Sequence, residues 1–505
     1  MIRELRPHQE HAIAQLRQSL AGGKRRPMIQ APTGFGKTLL AAAIVDGALR
    51  KNKRVIFCVP ALSLIDQTVG AFWNEGIRDV GVIQARHEMT NSRQPVQVAS
   101  VQSLEKREIP EADIVVIDEA HRWFQFYAEW MARPEWQRIP FVGLSATPWT
   151  KGLGKHFDDL ITPTTAQDLI DSGFLAPFRT FAPTHPDLSG VRTKAGDYHE
   201  GDLSEAMDKP ALTADVVETW RRLGENRPTF VFAVDCAHAR HLRDRFVEAG
   251  VSTAYIDANT SKDDREVIER AFHAGDVRVV CNVGTMTTGV DWDVRCIVLA
   301  RPTRSEMLYV QMIGRGLRIA DGKSDCLILD HSDTTLKLGF VTDIHHAELD
   351  DGKPRKASAS ESRAREERLP KECPSCSFLK PVGLSECPSC GFKPQLQSTV
   401  KCEDGTLAEV KASKKPKAKQ WTAAEKSELY GQLKGYQRRV RCSQGRTSNI
   451  FRDITGVWPN AYTGVPELEP SAGLLSKIKS MAIAYAKSQE AKQRRQGAAY
   501  DSARA

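Results

Sequence analysis

A glycine-rich stretch near the start of the chain ends in Gly36-Lys37-Thr38 and has the composition of a phosphate-binding loop. In such a loop the backbone N–H groups cradle phosphates, the lysine reaches the β- and γ-phosphates, and the threonine hydroxyl binds Mg²⁺. Ala31 stands where the usual pattern has its first glycine. The residues predicted to bind the nucleotide are Pro32, Thr33, Gly34, Phe35, Gly36, Lys37 and Thr38.

About eighty residues later, an apolar run over residues 114–117 ends in Asp118 and Glu119. A buried parallel strand can deliver an acid to the nucleotide metal in this way, at the carboxyl edge of the sheet. We predict that Asp118 holds Mg²⁺ together with Thr38, and that Glu119 orients or deprotonates the attacking water. The alternative is a solvated strand end. Together with the loop, the pair predicts an enzyme that hydrolyses nucleoside triphosphates.

A third candidate group lies in residues 311–318, which contain Arg315 and Arg318. If residues 305–313 form a helix, both arginines lie in the turn at its end and can project across a cleft between domains. An arginine that stabilises the charge of the transition state can raise the rate by roughly 10³–10⁵. The alternative is that both are surface arginines.

Two Cys-x-x-Cys pairs lie close together in the C-terminal part of the chain, as Cys373/Cys376 and Cys387/Cys390. Four thiolates at this spacing suit tetrahedral Zn²⁺, and so small a module has no core without a metal. A disulfide pair and a redox Cys-x-x-Cys are the alternatives. The sequence leaves open whether this predicted zinc ribbon contacts nucleic acid or only supports the rest of the chain.

The elements that must position these residues alternate between apolar strand-like runs and helical patterns up to about residue 345. This alternation predicts an α/β fold with parallel sheets and crossover helices, in two tandem domains. Strands are predicted over residues 54–59, 96–100, 114–118, 141–145, 229–233, 253–256, 277–282, 296–300 and 326–330. Helices are predicted after Lys37 and over residues 64–73, 237–249, 264–273 and 305–313.

Composition shifts predict the domain organisation. The first α/β domain covers residues 1–165 and the second covers residues 166–346. A linker, the zinc ribbon, a basic linker and a helical C-terminal domain follow, at residues 347–370, 371–395, 396–420 and 421–492.

The helical domain has two interpretations. Its aromatic residues at helical spacing, interleaved with basic ones, could stack bases and neutralise phosphates. Alternatively, Tyr430, Leu433 and Tyr436 form the core stripe of a helix whose arginines face water.

The net charge of +8 over 505 residues is unevenly distributed. Residues 371–505 hold 23 basic and 12 acidic residues, whereas the remainder of the chain is slightly acidic. Such asymmetry favours a polyanionic partner, with a merely solvated tail as the alternative. No apolar run approaches the roughly 18 residues of a membrane span, and the N-terminus does not begin a signal peptide. We therefore expect a cytoplasmic protein with no membrane partner and with buried free thiols at Cys58, Cys236, Cys281, Cys296 and Cys326.

Several short motifs, in chain order, resemble those of the superfamily 2 helicases and translocases. Asp118-Glu119-Ala120-His121 is the DEAH form of the Walker B box. The other matching stretches are residues 5–9 (Q-motif region), 31–38 (phosphate loop), 59–67 (motif Ia), 144–148 (III), 230–233 (IV), 287–291 (V) and 311–318 (VI).

This resemblance, which covers residues 5–345, implies two RecA-like domains with ATP between them and a single nucleic-acid strand across their top. It implies that Gln9 contacts the adenine and that Arg318 is the arginine finger, with Arg315 and Gln311 assisting. The further contacts implied are Gly289 and Asp291 with the nucleotide, and Ser100, Gln102 and Thr288 with nucleic acid.

Within the superfamily, the chain resembles the RadD-type and phage-type helicases, in which a cysteine module follows the two motor domains. RadD is linked to DNA repair. The leading interpretation is an ATP-dependent DNA helicase or translocase in DNA repair, recombination or replication, with a single-strand-binding or replication or repair protein as a candidate partner. An RNA helicase and a nucleic-acid-binding scaffold with a vestigial ATPase are the alternatives.

Overall fold

The computed structural model describes residues 3–84, 87–194, 196–287, 292–353, 367–394 and 421–481. The chain divides into two compact units, residues 1–397 and 398–505, and each is described by itself. Within the described residues, no helix is both long and apolar enough to cross a membrane. The predicted basic linker, residues 396–420, lies outside the described residues.

The first domain is built on a seven-stranded sheet in which all the paired strands run parallel. The strand order is β3-β4-β2-β5-β6-β1-β7. The strands are β1 Pro27–Gln30, β2 Val55–Val59, β3 Val80–Ile83, β4 Val96–Ser100, β5 Ile114–Asp118, β6 Phe141–Ser145 and β7 Asp159–Ile161. The helices of this part of the chain are α1 Pro7–Ala21, α2 Lys37–Leu49, α3 Ile65–Asn74, α4 Val101–Leu104, α5 Gln125–Ala132 and α6 Ala166–Asp171. Helices on both faces bury the central strands completely, which explains their continuous apolar runs.

The second domain has a six-stranded sheet, again parallel, in the order β12-β13-β11-β14-β15-β8. Its strands are β8 Phe178–Phe181, β11 Thr229–Phe232, β12 Thr253–Ile256, β13 Val279–Asn282, β14 Cys296–Leu299 and β15 Cys326–Asp330. A small hairpin, β9 Thr193–Lys194 and β10 Asp197–Tyr198, precedes the helices. These helices are α7 Glu200–Met207, α8 Pro210–Leu223, α9 Cys236–Glu248, α10 Lys262–Ala274, α11 Glu306–Gly316 and α12 Thr334–Leu338.

One predicted helix ends later than expected. The sequence predicts an end at residue 313, but α11 continues to Gly316, so Arg315 lies on the helix rather than in the turn after it. Gly314 and Gly316, which favour an earlier end of the helix, lie where the helix packs closely against its neighbours. A Cβ at Gly314 would lie 2.5 Å from Thr33 Oγ1, and one at Gly316 would lie 2.7 Å from Ile297 Cγ1.

After the second sheet the chain returns to the first domain. The His346 ring lies against Trp149, with 4.7 Å between ring centroids. Asp350 then accepts two backbone hydrogen bonds, from Gly152 N to its Oδ1 and from Gly154 N to its carbonyl oxygen, both at 2.8 Å. Residues at the start of the predicted 347–370 linker therefore pack on the first domain.

The cysteine module docks on the edge of the second sheet. It contains the antiparallel strands β16 Lys371–Glu372 and β17 Leu379–Lys380. Phe378 forms an antiparallel bridge with Phe181 at the end of β8, and their rings pack edge to face at 5.3 Å. Cys373 and Cys387 are buried in the same apolar cluster as residues of β11, β14 and β15, so the module and the second domain share a core.

The second unit is helical over most of its described residues. It contains α13 Ala423–Val440 and α14 Gln444–Thr455, and residues 472–481 are also helical. Tyr430, Leu433 and Tyr436 are buried in its core. The interpretation of these three residues as a core stripe is therefore confirmed.

The isolated cysteines carry free thiols, as expected. Cys58, Cys281, Cys296 and Cys326 are buried, whereas Cys236 is half-buried. Burial raises the pKa of the Cys326 thiol to about 12, so this thiol is inert at neutral pH.

Candidate nucleotide and metal sites

The glycine-rich loop connects β1 to α2 at the carboxyl edge of the first sheet. Gly34 and Gly36 both have a φ of +81°, a left-handed backbone that side chains with a Cβ rarely adopt. Gly36 is also the N-cap of α2, so the unpaired N–H groups at the start of this helix face the loop. The combination of left-handed glycines and a helix N-terminus is suited to phosphate binding.

Helix α1 supports the loop from behind. Gln9 is fully buried, and its Nε2 donates to the carbonyl oxygens of Phe35 at 3.0 Å and Gly36 at 3.1 Å. Its Oε1 accepts from the backbone N–H of Arg6 at 2.9 Å. Gln9 thus fixes the loop, and its contact with the adenine stays a prediction.

Sequence reasoning did not single out Arg6 and His8. The Arg6 side chain donates to the Gly34 carbonyl oxygen at 3.3 Å, and His8 Nε2 lies 3.0 Å from the Phe35 carbonyl oxygen. The signal available in the sequence was that both residues lie within residues 5–9, the stretch that resembles the Q-motif region.

Lys37, Asp118 and Glu119 form a charge cluster where β5 ends and α2 begins. Lys37 Nζ lies 3.0 Å from Asp118 Oδ1 and also forms an ion pair with Glu119 Oε1. Burial opposes the charged form of Lys37, but the two carboxylates outweigh it and raise the pKa of this ammonium. Lys37 is therefore charged at any physiological pH.

The two carboxyl groups differ in their electrostatic environment. Burial, reinforced by the charge of Glu119, raises the pKa of Asp118. For Glu119, burial is outweighed by the charges of Lys37 and Arg315, and its pKa is lowered. Glu119 thus stays ionised at neutral pH, as a general base requires. Its backbone is left-handed, with a φ of 47°, which is strain of the kind that clusters at functional sites.

A polar contact joins this cluster to the second domain. Gln311 Nε2 on α11 lies 3.3 Å from His121 Nε2 and 3.2 Å from Thr147 Oγ1. Burial lowers the pKa of His121 to about 4, so its ring is neutral. Because Nε2 accepts from Gln311, the ring proton lies on Nδ1, which is 2.8 Å from Ser145 Oγ and 3.3 Å from Glu119 Oε2.

Helix α11 therefore brings three residues towards the loop, two of which are predicted site residues. Gln311 makes the contact just described, Gly314 packs against Thr33, and Arg315 influences the pKa of Glu119. Arg318 follows the end of the helix. The arrangement places residues of both domains around one phosphate-binding loop.

Comparisons with known proteins agree with this geometry. Residues 2–150 match the family profile described as "Type III restriction enzyme, res subunit", and residues 210–320 match "Helicase conserved C-terminal domain". Residues 2–150 and 210–320 are therefore domains of the superfamily 2 helicase type. Helicase domains of this kind hydrolyse ATP, with Mg²⁺ as the expected metal.

Two relatives and one solved structure are similar to this helicase-family chain. The 51.5 kDa protein of a Lactococcus phage (isolate 7-9) is 27% identical over 70% of this chain and 75% of its own length. IRC3 of Saccharomyces cerevisiae, by name an ATP-dependent helicase, is 28% identical over 65% of this chain, which spans about half of that protein (51%).

The solved structure is a fragment of the HsdR subunit of a type I restriction enzyme from Vibrio vulnificus YJ016. It has a TM-score of 0.53 and 22% identity over 69% of this chain and 67% of that fragment. The prediction of two RecA-like α/β domains is confirmed.

The remaining predicted site residues of the helicase domains have varied positions. Thr38 is exposed in the first turn of α2. Ser100 is fully buried and its hydroxyl caps α4, accepting from Ser103 N, and its contact with nucleic acid stays a prediction. Gln102 is exposed and its Nε2 donates to the Pro60 carbonyl oxygen at 3.0 Å. Thr288, Gly289 and Asp291 lie outside the described residues.

The four cysteines of the module converge on one point. Their Sγ atoms all lie within 4.8 Å of one another, with 3.8 Å between Cys373 and Cys390 and 3.7 Å between Cys376 and Cys387. Zinc–sulfur bonds of about 2.3 Å in a tetrahedron place the sulfurs about 3.8 Å apart. The thiolate set therefore fits Zn²⁺, which would stabilise the module by linking its two halves.

We expect Glu119→Gln to lower the ATPase kcat at least about 100-fold, because the amide cannot accept the proton of the attacking water. The amide keeps the shape of the site, so ATP binding should persist. Steady-state ATPase assays and equilibrium binding of a fluorescent ATP analogue measure the two quantities. Normal turnover in this variant would contradict the role of Glu119.

We expect Cys387→Ser to lose bound zinc and to lower the melting temperature, because three thiolates hold Zn²⁺ much less tightly than four. Metal content by mass spectrometry and thermal unfolding are the measurements. Cys442→Ser, in the second unit, is the matched control. Equal zinc content in both variants would exclude the four-thiolate site.

Proposed function

We propose that the chain is an ATP-dependent DNA helicase or translocase, which couples ATP hydrolysis to movement on DNA or to its unwinding. The observation that carries the proposal is the contact of Gln311 with His121 and Thr147. Through His121, which lies 3.3 Å from Glu119, it links the carboxylate cluster of one domain to the arginine-bearing helix of the other. A change in the phosphates can therefore be transmitted to the relative position of the two domains.

The charge cluster supports a specific exchange when ATP binds. Lys37 now pairs with both Asp118 and Glu119. A triphosphate in the loop brings additional negative charge, and Lys37 then pairs with its phosphate oxygens. Glu119, released and ionised, accepts a proton from the attacking water.

The other predicted residues have roles around the same phosphates. Mg²⁺, held by Thr38 and Asp118, would neutralise charge between the β- and γ-phosphates. We assign the arginine finger to Arg318, with Arg315 and Gln311 assisting. We assign the adenine contact to Gln9, and Gly289 and Asp291 complete the nucleotide contacts.

DNA is favoured over RNA by two observations. One matching family profile and one similar structure carry the names of restriction enzymes, which are enzymes that act on DNA. The basic C-terminal region favours binding to a polyanion, but it does not distinguish DNA from RNA. An RNA helicase and a scaffold with a vestigial ATPase are outcomes of the test below.

The position of the cysteine module after two motor domains supports assignment to the RadD-type and phage-type subgroup, with Zn²⁺ in the module. DNA repair, recombination or replication is the process we propose on this basis. In such a process, the expected partner of this chain is a single-strand-binding protein or a replication protein.

A basic surface on the second unit supports a further contact with single-stranded nucleic acid. Arg446, Asn449 and Arg452 follow one another at three-residue spacing along α14, so they lie on one face. The Arg452 guanidinium lies 4.6 Å from the ring centroid of Trp458, which is 50% exposed. Residues 429–452 contain six basic and no acidic residues. An exposed indole beside arginines can stack a base while the arginines neutralise phosphates.

The test of the function is ATPase activity with no nucleic acid, with single-stranded DNA, with duplex DNA and with RNA. We expect stimulation by single-stranded or forked DNA and no activity in Lys37→Ala, which lacks the phosphate-binding ammonium. Stimulation by RNA alone would favour the RNA helicase. No turnover under any condition would favour the scaffold.

We expect Trp458→Ala to weaken single-stranded DNA binding about 5- to 150-fold, because one stacked base contributes about 1–3 kcal/mol. Fluorescence anisotropy with a labelled oligonucleotide measures the Kd. Trp73→Ala is the matched control, since Trp73, on α3, is also exposed and the Arg78 guanidinium lies 5.9 Å from its ring centroid. Equal affinities of the two variants would exclude Trp458 as a contact.

A further inference from the structure

The C-terminal end of α11 is held by one lysine from the turn that follows it. Lys323 Nζ donates to the carbonyl oxygens of Gly316 at 2.6 Å, Arg318 at 2.7 Å and Val294 at 2.7 Å. An ammonium group has three N–H donors, so these three carbonyls use all of them.

Two of the three carbonyls belong to the segment that carries the arginines. The last carbonyls of a helix have no intrahelical partner and carry partial negative charge. Lys323 supplies both a donor and a positive charge at Gly316 and Arg318. With Gly316 packed against Ile297 of β14, the end of α11 is held on two sides.

The third carbonyl belongs to a different segment. Val294 is buried and follows residues 287–291, the stretch that resembles motif V. Trp292 anchors this segment in the domain, with its ring 5.4 Å from Phe230 and 5.2 Å from Phe272. Lys323 therefore bridges two segments that are separated by a strand and a helix in the sequence.

The residue after Val294 connects the same two parts of the chain in the opposite direction. Arg295 pairs with Asp293 at 2.7 Å, and its guanidinium donates to the carbonyl oxygens of Asp321 at 2.7 Å and Gly322 at 3.1 Å. The turn that carries Lys323 is thus fixed to the segment that Lys323 itself holds. The two cations form a reciprocal cross-link.

The ammonium group of Lys323 is partly buried, and its pKa is lowered because desolvation disfavours the charged form. Its three hydrogen bonds to carbonyl oxygens offset part of this cost. A side chain without donors at this position would leave three carbonyl groups unpaired.

We propose that Lys323 is a positioning residue for Arg315 and Arg318, through which the end of α11 and residues 292–295 move as one body. A displacement of the segment before Trp292 then moves Arg315 and Arg318 as well, even when the nucleotide-binding residues of the first domain do not move. The inference rests on the proposed function, since the arginines act on ATP only in a chain that hydrolyses it.

The experiment compares Lys323→Met with Lys262→Met in the full-length protein. Lys262 is a matched control because it lies on α10 of the same domain with its side chain 87% exposed. Hydrogen–deuterium exchange is measured in peptides covering residues 306–318 and 292–299, and ATPase kcat and KM are measured separately. Lys323→Gln, which keeps two donors, is the second variant if the methionine variant does not fold.

We expect faster exchange in both peptides of the Lys323 variant and a kcat about 10- to 100-fold lower, with the KM for ATP changed less than about threefold. Exchange equal to that of Lys262→Met, or acceleration in only one peptide, overturns the cross-link. A wild-type kcat in a variant with accelerated exchange overturns the positioning role. If the wild-type protein has no ATPase activity, the proposed function is wrong. The exchange data then still test the cross-link, because they do not depend on ATP hydrolysis.

Discussion

Charge balance at the carboxyl edge of the first sheet is the constraint on which the nucleotide site depends. Lys37, Asp118 and Glu119 have side chains that are only 20–22% exposed, so each charge needs its partners. Removing one member of a buried charge pair costs about 3–5 kcal/mol, because the other is left uncompensated. The left-handed backbone at Glu119 is held in place by this pairing, together with the bond from its N–H to Asp118 Oδ1.

Residues whose chemistry is encoded within a short stretch could be predicted from the sequence. The phosphate loop and the Asp118-Glu119 pair follow from local composition, since a strand end and a helix start suffice to position them. The contact of Gln311 with His121 could not be predicted, because it forms only when the two domains pack. The same limit applies to Ser100, where the sequence does not reveal that its hydroxyl caps a helix.

Nine of the thirteen strands in the two large sheets were predicted, four-residue strands such as β11 and β14 among them, and β1, β3, β7 and β8 were not. The central strands β2, β5 and β6 were predicted close to their observed bounds. The short strand β7 has three residues and owes its conformation to pairing with β1. The docking of Phe378 on β8 could likewise not be predicted from the sequence, because a Cys-x-x-Cys spacing specifies a metal site but not the surface on which the module packs.

The return of the chain from the second domain to the first restricts how the nucleotide cleft can open. The two domains are connected once between β7 and β8, and again where residues 346–350 lie against Trp149 and the glycines that follow it. Gln311 and Gly314 of α11 also contact the first domain, close to the phosphate loop. Widening the nucleotide cleft therefore has to break these contacts, whereas a motion that pivots near Trp149 can keep residues 346–350 in place.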